Sequence, residues 1–192
     1  TAGLSEQDVT MPVVPMFHAN AWGIPFAATW LGSTQVLPGP APTPQILAEL
    51  IEEHKVTITA GVPTIWLGLL KELESGKYNL NSLRAVLCGG SAAPKGMIRN
   101  FEETHGIPFI HAYGMTETSP IVTAANLKSY QGDLPYEEKL ELRSTQGRVV
   151  PGLEIKVIND QGEAKADGKD MGELLVRGPW IADSYYKDER SK

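Results

Sequence analysis

The segment His111-Ala112-Tyr113-Gly114-Met115-Thr116-Glu117-Thr118-Ser119 sets an aromatic ring, a glycine, aliphatic hydroxyls and a carboxylate side by side. Each has a use beside an anionic ligand. Tyr113 offers a flat face on which a base can stack. Gly114 lets backbone approach a ligand closely. Thr116 can donate to a phosphate oxygen, and Glu117 is a hard oxygen ligand suited to Mg2+. The same residues also read as a strand followed by a capped helical turn, with Thr116 or Thr118 as the cap. Gly89-Gly90-Ser91-Ala92-Ala93 is a second candidate. Its small residues leave a flat wall with accessible backbone groups, or simply make a strand-to-helix turn. It is not a hydrolase nucleophile elbow, which needs Gly at both ends where position 93 is Ala. No Gly-Lys-Ser/Thr follows it, so it is not a phosphate loop.

Other reactive residue types give less. His18, His54, His105 and His111 show neither i,i+4 pairing nor zinc spacing. His54 and His105 fall near expected helix C-termini, where positive charge is mildly favoured, and read as structural. A Cys88–His111 dyad has nothing to orient it. The single cysteine, Cys88, excludes a disulfide framework and a thiolate metal cage and fits a reducing compartment.

Regular elements must position these segments. An apolar, β-branched run at residues 9–17 reads as a strand whose ends are made irregular by Pro12 and Pro15. Trp22 to Leu31 is apolar all round and predicts a buried helix, followed by a short strand at Gln35 to Leu37. Thr43 can cap a helix that Pro44 opens, with Ile46, Leu47, Leu50 and Ile51 as its stripe. Val56 to Ala60 reads as a strand. Pro63 opens a helix with Ile65, Trp66, Leu69, Leu70 and Leu73 on one face. Leu83 to Leu87 predicts a strand running into Cys88-Gly89-Gly90. Pro94 opens a helix with Met97, Ile98 and Phe101 inward, and Pro108 to Ala112 predicts the strand that delivers Tyr113. Strand and helix therefore alternate over 9–112, the pattern of a parallel sheet with crossover helices. Ligands on such sheets sit beyond the C-terminal strand ends, where both candidate segments fall.

Beyond residue 147 the pattern changes. Leu153, Ile155 and Val157 alternate with other residues, Asn159-Asp160-Gln161-Gly162 is turn chemistry, and Glu173 to Arg177 is a further strand. We expect an antiparallel β subdomain at 147–192 after an α/β part at 1–146. Between them Tyr136 to Ser144, with Glu137 and Glu138, predicts a surface helix.

Composition sets outer limits. With Lys+Arg 17 against Asp+Glu 23, the net charge of −6 argues against a nucleic-acid partner, which needs a basic face. Apolar residues make up 42% of 192, an ordinary globular share that can bury a large core. No uninterrupted apolar run approaches the roughly 20 residues of a membrane helix, and no basic-then-apolar leader opens the chain. The chain starts at Thr1 and stops in a polar stretch at Ser191-Lys192, as a piece of a longer protein would.

Taken together, these segments resemble the adenylate-forming superfamily of acyl-CoA synthetases, luciferases and peptide-synthetase adenylation domains. Tyr113-Gly-Met-Thr-Glu117 matches its Tyr-Gly-x-Thr-Glu motif, and Gly89-Gly-Ser-Ala-Ala-Pro94 its adenine-wall segment. Gly172-Glu-Leu-Leu-Val-Arg-Gly178 matches a strand late in the family's large domain. Pro15-Met-Phe-His-Ala-Asn-Ala-Trp22, Val36-Leu-Pro-Gly-Pro40 and Gly61-Val-Pro-Thr64 are similar to the medium- and long-chain fatty acyl-CoA synthetase branch.

The resemblance implies roles by position. Glu117 would hold the Mg2+ that bridges ATP phosphates, and Thr116 would contact the α-phosphate. Tyr113 would stack on adenine against Gly90, Ser91 and Ala92, with His111 and Gly114 in the same nucleotide site. His18 would lie beside the reacting carboxylate, and Trp22 would line or gate the acyl tunnel beside Phe26 and Trp30. The implied reaction adenylates a fatty acid with ATP and passes the acyl group to CoA. A cytoplasmic enzyme follows, and the resemblance leaves open peripheral membrane contact and a homodimer. The family's Pro-Lys-Gly phosphate loop, Thr-Gly-Asp ribose motif, Asp-Arg-x-Lys hinge and C-terminal lysine domain are not in these 192 residues, so the chain alone is expected to be inactive. Asp183-Ser184 stands where the family usually has Gly before the tyrosines. An aryl- or short-chain acid ligase and a non-catalytic nucleotide-binding domain are the alternatives.

Overall fold

The computed structural model describes residues 2–189. Thr1 and residues 190–192, the outer ends of the two expected parts, lie outside the described residues.

Seven strands form the main sheet: β1 (Val9–Pro12), β2 (Thr34–Gln35), β3 (Ile58–Gly61), β4 (Ala85–Cys88), β5 (Phe109–Gly114), β6 (Ile121–Ala124) and β7 (Arg148–Val149), in the order β2-β1-β3-β4-β5-β6-β7. The first five run parallel, while β6 and β7 pair antiparallel beside β5. Three more strands, β8 (Glu154–Asn159), β9 (Gly162–Glu163) and β10 (Glu173–Arg177), make a small antiparallel sheet. The mixed α/β architecture expected from the alternation is present. The expected division at 146/147 falls just before β7, whose partner is β6 of the main sheet.

Local chemistry accounts for the crossovers. The Thr43 hydroxyl accepts from the Ile46 amide at 3.2 Å and caps the helix Pro44–His54, which buries Leu47, Ala48 and Ile51. Val62 precedes the helix Pro63–Leu73, whose Trp66 is fully buried. The Trp66 indole N–H donates to the Leu87 carbonyl at 3.1 Å, so the ring's one polar group is satisfied inside the core. Phe101 meets Trp66 edge-on at 6.4 Å and Phe109 at 5.5 Å. The helix opened by Pro94 is α-helical only over Lys95–Arg99 and continues as a π turn over Asn100–Thr104. Helix Tyr136–Ser144 has the predicted bounds and is pinned to it by Arg99–Glu137, Arg143–Glu102 and Lys95–Glu141 pairs.

Two expectations are corrected. The helix predicted from Trp22 starts at Ile24 and is not buried. Phe26 is 65% and Trp30 89% exposed, because only the Pro25–Ala28 side faces the sheet. The short strand lies at Thr34–Gln35 rather than Gln35 to Leu37, since pairing with β1 stops at Thr10↔Gln35.

The sheet's two edges carry different loads. At the N-terminal strand ends, buried Asp8 takes Arg84 Nε at 2.7 Å and Nη2 at 2.8 Å, with the Thr57 hydroxyl at 2.7 Å. This network ties the segments leading into β1, β3 and β4 together. The opposite edge, beyond the C-terminal strand ends, carries the site.

Candidate active site

Four segments leave the C-terminal ends of β1, β3, β4 and β5 and converge. After β1, residues Ala19–Trp22 form a single turn of left-handed hand, with φ of 45, 52, 50 and 56°. Four successive L-residues in this region are strained, since the left-handed conformation costs about 1–2 kcal/mol per residue. Backbone bonds Ala21 N to His18 O (3.1 Å) and Gly23 N to Asn20 O (3.0 Å) close it. The turn aims the Trp22 indole across the β4 loop: a methyl group added at Gly89 would sit 3.4 Å from the ring, and one at Gly90 3.9 Å from it. Val62, after β3, comes within 3.2 Å of the same Gly90 position. Gly90 has a φ of +81°, in the left-handed region that glycine adopts without strain. Ser91 and Ala92 are exposed on it. The expected wall is thus formed by backbone, with the Trp22 ring against one face.

The β5 loop stands beside it. Gly114 is glycine because the chain folds back on itself: an added methyl group would overlap the Pro120 carbonyl oxygen and lie 2.7 Å from its carbon. The Pro120 crossing by itself therefore requires glycine at this position. Met115 N donates to that carbonyl at 2.9 Å. Thr116–Thr118 form one 3-10 turn. Thr118, not Thr116, is its cap: the buried Thr118 hydroxyl bonds Met115 N at 2.8 Å and Pro120 O at 2.6 Å. Thr116 is left exposed.

Glu117 is half-buried and held twice by the segment following the small sheet. Its carbonyl accepts from Ala182 N at 2.8 Å, and its carboxylate Oε1 accepts the Tyr185 hydroxyl. That hydroxyl holds the Glu117 carboxyl below the usual carboxylate range, and the carboxylate in turn pushes the Tyr185 phenol up. Sequence reasoning missed Tyr185, whose only signal was the Tyr185-Tyr186 pair of an atypical motif.

Tyr113 is half-buried and packs against a second core cluster formed by Val122, Ala124, Val150 and Leu153. His111 lies beneath the wall, 1% exposed, its Nε2 accepting from Ala93 N at 3.3 Å. His18 is exposed at the start of the left-handed turn. The structure thus brings Trp22, Gly89, Gly90, Ser91, Ala92 and the Tyr113–Glu117 loop to one sheet edge. His111 lies under that edge, and His18 at the turn that carries Trp22. Cys88 is buried, its thiol pushed up to about 12 by burial, and is no nucleophile.

The donor set also defines what cation would fit. Among the described residues there is no group of three or more His, Cys, Asp or Glu side chains able to hold a metal. One ionised, accessible carboxylate does not make an all-protein cage. It does suit Mg2+, which keeps waters and phosphate oxygens and takes one or two protein carboxylates. Among the described residues no helix is long and apolar enough to cross a membrane.

Comparison with known proteins agrees with this geometry. The chain is 47% identical over 189 residues to a long-chain-fatty-acid–CoA ligase of Thermus thermophilus, covering 98% of this chain and 35% of that protein. It is 44% identical over 190 residues to a medium-chain-fatty-acid–CoA ligase of Ectopseudomonas oleovorans, again 98% and 35% of the two. It thus spans about a third of the length of the curated relatives it matches. Among solved structures, the long-chain-fatty-acid-CoA ligase FadD1 of Archaeoglobus fulgidus superposes with a TM-score of 0.82 at 26% identity, over 98% of this chain and 38% of that one. The o-succinylbenzoate CoA synthetase of Bacillus subtilis, in complex with ATP and magnesium ion, superposes at 0.80 and 27% identity, over 98% and 36%. The family model described as AMP-binding enzyme matches residues 1–186, and the chain belongs to that family.

Proposed function

We propose that this chain is part of an ATP-dependent fatty acid–CoA ligase, which activates a carboxylate as acyl-adenylate and transfers it to CoA. The observation that carries the reading is the convergence of the Trp22 ring, the Gly89–Gly90 wall and the Glu117 loop at one sheet edge. The 47% identity to a long-chain-fatty-acid–CoA ligase supports the acid class. The activity belongs to a polypeptide of the relatives' full length, and the proposal places the α/β part at 1–146 and the β subdomain at 147–192 inside its large domain.

Each residue then has a task. Tyr113 stacks on adenine against Gly90, Ser91 and Ala92, with His111 and Gly114 shaping the wall from beneath and behind. The exposed Thr116 hydroxyl donates to the α-phosphate, where charge builds as the carboxylate attacks. Glu117 holds Mg2+, which offsets the charge on the phosphate oxygens when bound. His18 lies by the incoming carboxylate, and Trp22 walls the acyl channel. CoA thiol then displaces AMP. The enzyme acts in the cytoplasm, with peripheral contact to membranes into which amphiphilic acids partition, and as a homodimer.

A short-chain acid is the second reading, since the chain is also 45% identical over 186 residues to the 3-methylmercaptopropionyl-CoA ligase of Ruegeria pomeroyi. Acid-dependent pyrophosphate release by the full-length enzyme separates them. With acetate, octanoate, palmitate and benzoate, a maximum at octanoate or palmitate is expected. Glu117→Ala should lower the rate by about 100-fold or more, the usual effect of removing a group that stabilises transition-state charge. Maximal release with acetate selects the second reading. No release with any acid replaces both with a non-catalytic nucleotide-binding domain.

A further inference from the structure

The turn that carries Glu117 is fixed from below and open above. Thr118 is buried and locked to Met115 and Pro120. Glu117 itself projects from the turn, and Tyr185 is the one side chain among the described residues that hydrogen-bonds its carboxylate. Tyr185 arrives on a strap that follows β10. Along it, Trp180 lies against Gly152 and donates to the Ile121 carbonyl at 3.4 Å, Ile181 N bonds Gly178 O at 3.3 Å, and Ala182 N bonds the Glu117 carbonyl at 2.8 Å. The strap is anchored at both ends of the interaction: on the cluster of Val122, Ala124, Val150 and Leu153 through Trp180 and Ile181, and on Glu117 through backbone and side chain.

A glutamate side chain on an exposed turn samples several rotamers, and ordering it opposes ligand binding. A hydroxyl bound to one carboxylate oxygen removes much of that freedom before the ligand arrives and leaves the second oxygen available. Tyr185 is 58% exposed, and its hydroxyl reaches the Glu117 carboxylate.

We propose that Tyr185 is a positioning residue for the nucleotide-borne cation: its hydroxyl fixes the Glu117 carboxylate so that the second oxygen faces the metal. This rests on the reading of Glu117 as the Mg2+ ligand. It makes the strap after the small sheet a working part of the cation site, contributed by a residue 68 positions from the motif it serves.

The test uses the full-length enzyme and Mn2+ as a spectroscopic stand-in for Mg2+. Free Mn2+ is followed by electron paramagnetic resonance as it is titrated into enzyme with ATP. Tyr185→Phe keeps the ring and removes the hydroxyl. It should weaken Mn2+–ATP binding by about 10-fold, the lower end of the effect of losing a group that orients a metal ligand. The melting temperature and the KM for the acid should stay put while the KM for MgATP rises. In a Glu117→Gln background, Tyr185→Phe should change nothing further. If Tyr185→Phe binds Mn2+–ATP as the parent does while Glu117→Gln loses it, the positioning role is wrong and the metal reading stands. If Glu117→Gln itself leaves Mn2+–ATP binding unchanged, the metal reading falls and this inference with it.

Discussion

Replacing Gly114 by alanine tests the account of the β5 loop most directly. The new methyl group would overlap the Pro120 carbonyl oxygen and lie 2.7 Å from its carbon and 3.0 Å from Ile121 Cα. All three are backbone atoms, so no side-chain rotation relieves the overlap. To reach ordinary contact the return strand must retreat by about 1 Å or more. That movement breaks the 2.9 Å bond from Met115 N to Pro120 O and disturbs the Gly114↔Ile121 register at the bulge. Overpacking of this kind costs about 1–3 kcal/mol, and a lost buried hydrogen bond about 1 kcal/mol. We expect Gly114→Ala to lower stability by roughly 2–4 kcal/mol on that basis. Urea unfolding followed by tryptophan fluorescence measures it. Gly96→Ala is the control: it lies in the helix Lys95–Arg99, and a methyl group there meets nothing within 4 Å. It should gain up to about 1 kcal/mol from helix propensity. A Gly114→Ala protein whose unfolding midpoint matches the parent would refute the crossing of strand and return that defines this loop.

Cys88 should resist thiol labelling at pH 8 in the folded protein and react at once in urea, because burial pushes its thiol up to about 12. Labelling of the native chain at a free-thiol rate would contradict the core described here. Asp8 is held well below the usual carboxylate range, chiefly by the Arg84 guanidinium and also by the Thr57 hydroxyl. A depressed carboxylate stabilises fully above its unfolded value, about 4, and loses that contribution as pH falls further. The stability gap between parent and Asp8→Asn should thus be constant from pH 7 to 5 and shrink below pH 4. A gap that does not change with pH would show that the pair contributes no charge term. Thr43→Ala should cost about 1 kcal/mol through loss of the 3.2 Å cap on Ile46, and Thr43→Ser should restore it. Equal stability of the alanine and serine variants would rule the cap out.

Much of this arrangement could be read from the sequence, and the failures have physical causes. Thr43-Pro44 marked a helix start because capping is a local event, and the structure shows that cap. Glu173–Arg177 and Tyr136–Ser144 were found to the residue, since alternation and charge pattern act over short spans. The parallel sheet followed from the alternation of strands and helices. What escaped was non-local or unsigned. Trp22 to Leu31 is apolar all round, so periodicity gave no outward face and left Phe26 and Trp30 looking buried. The left-handed turn at Ala19–Trp22 carries no glycine to announce it. Gly114 crosses the Pro120 carbonyl, a contact that nothing within its own motif announces. The Tyr185–Glu117 bond joins residues 68 positions apart, and no pattern within either segment encodes it.

The left-handed turn before Trp22 changes what substitution can do on this surface. An exposed residue with no side-chain partners is ordinarily free to vary. Asn20 is exposed, yet its φ of 52° sets the terms. β-branched side chains are costly there, whereas Gly and Asn are tolerated at little cost. The restriction is written in backbone geometry, so a contact map of Asn20 would miss it entirely. Ala19 and Ala21 share it, and the three together form a short stretch in which sequence drift is confined to a handful of residue types. The orientation of Trp22 is thereby protected through the backbone of its neighbours, whether the side chain is exposed, as at Asn20, or fully buried, as at Ala21.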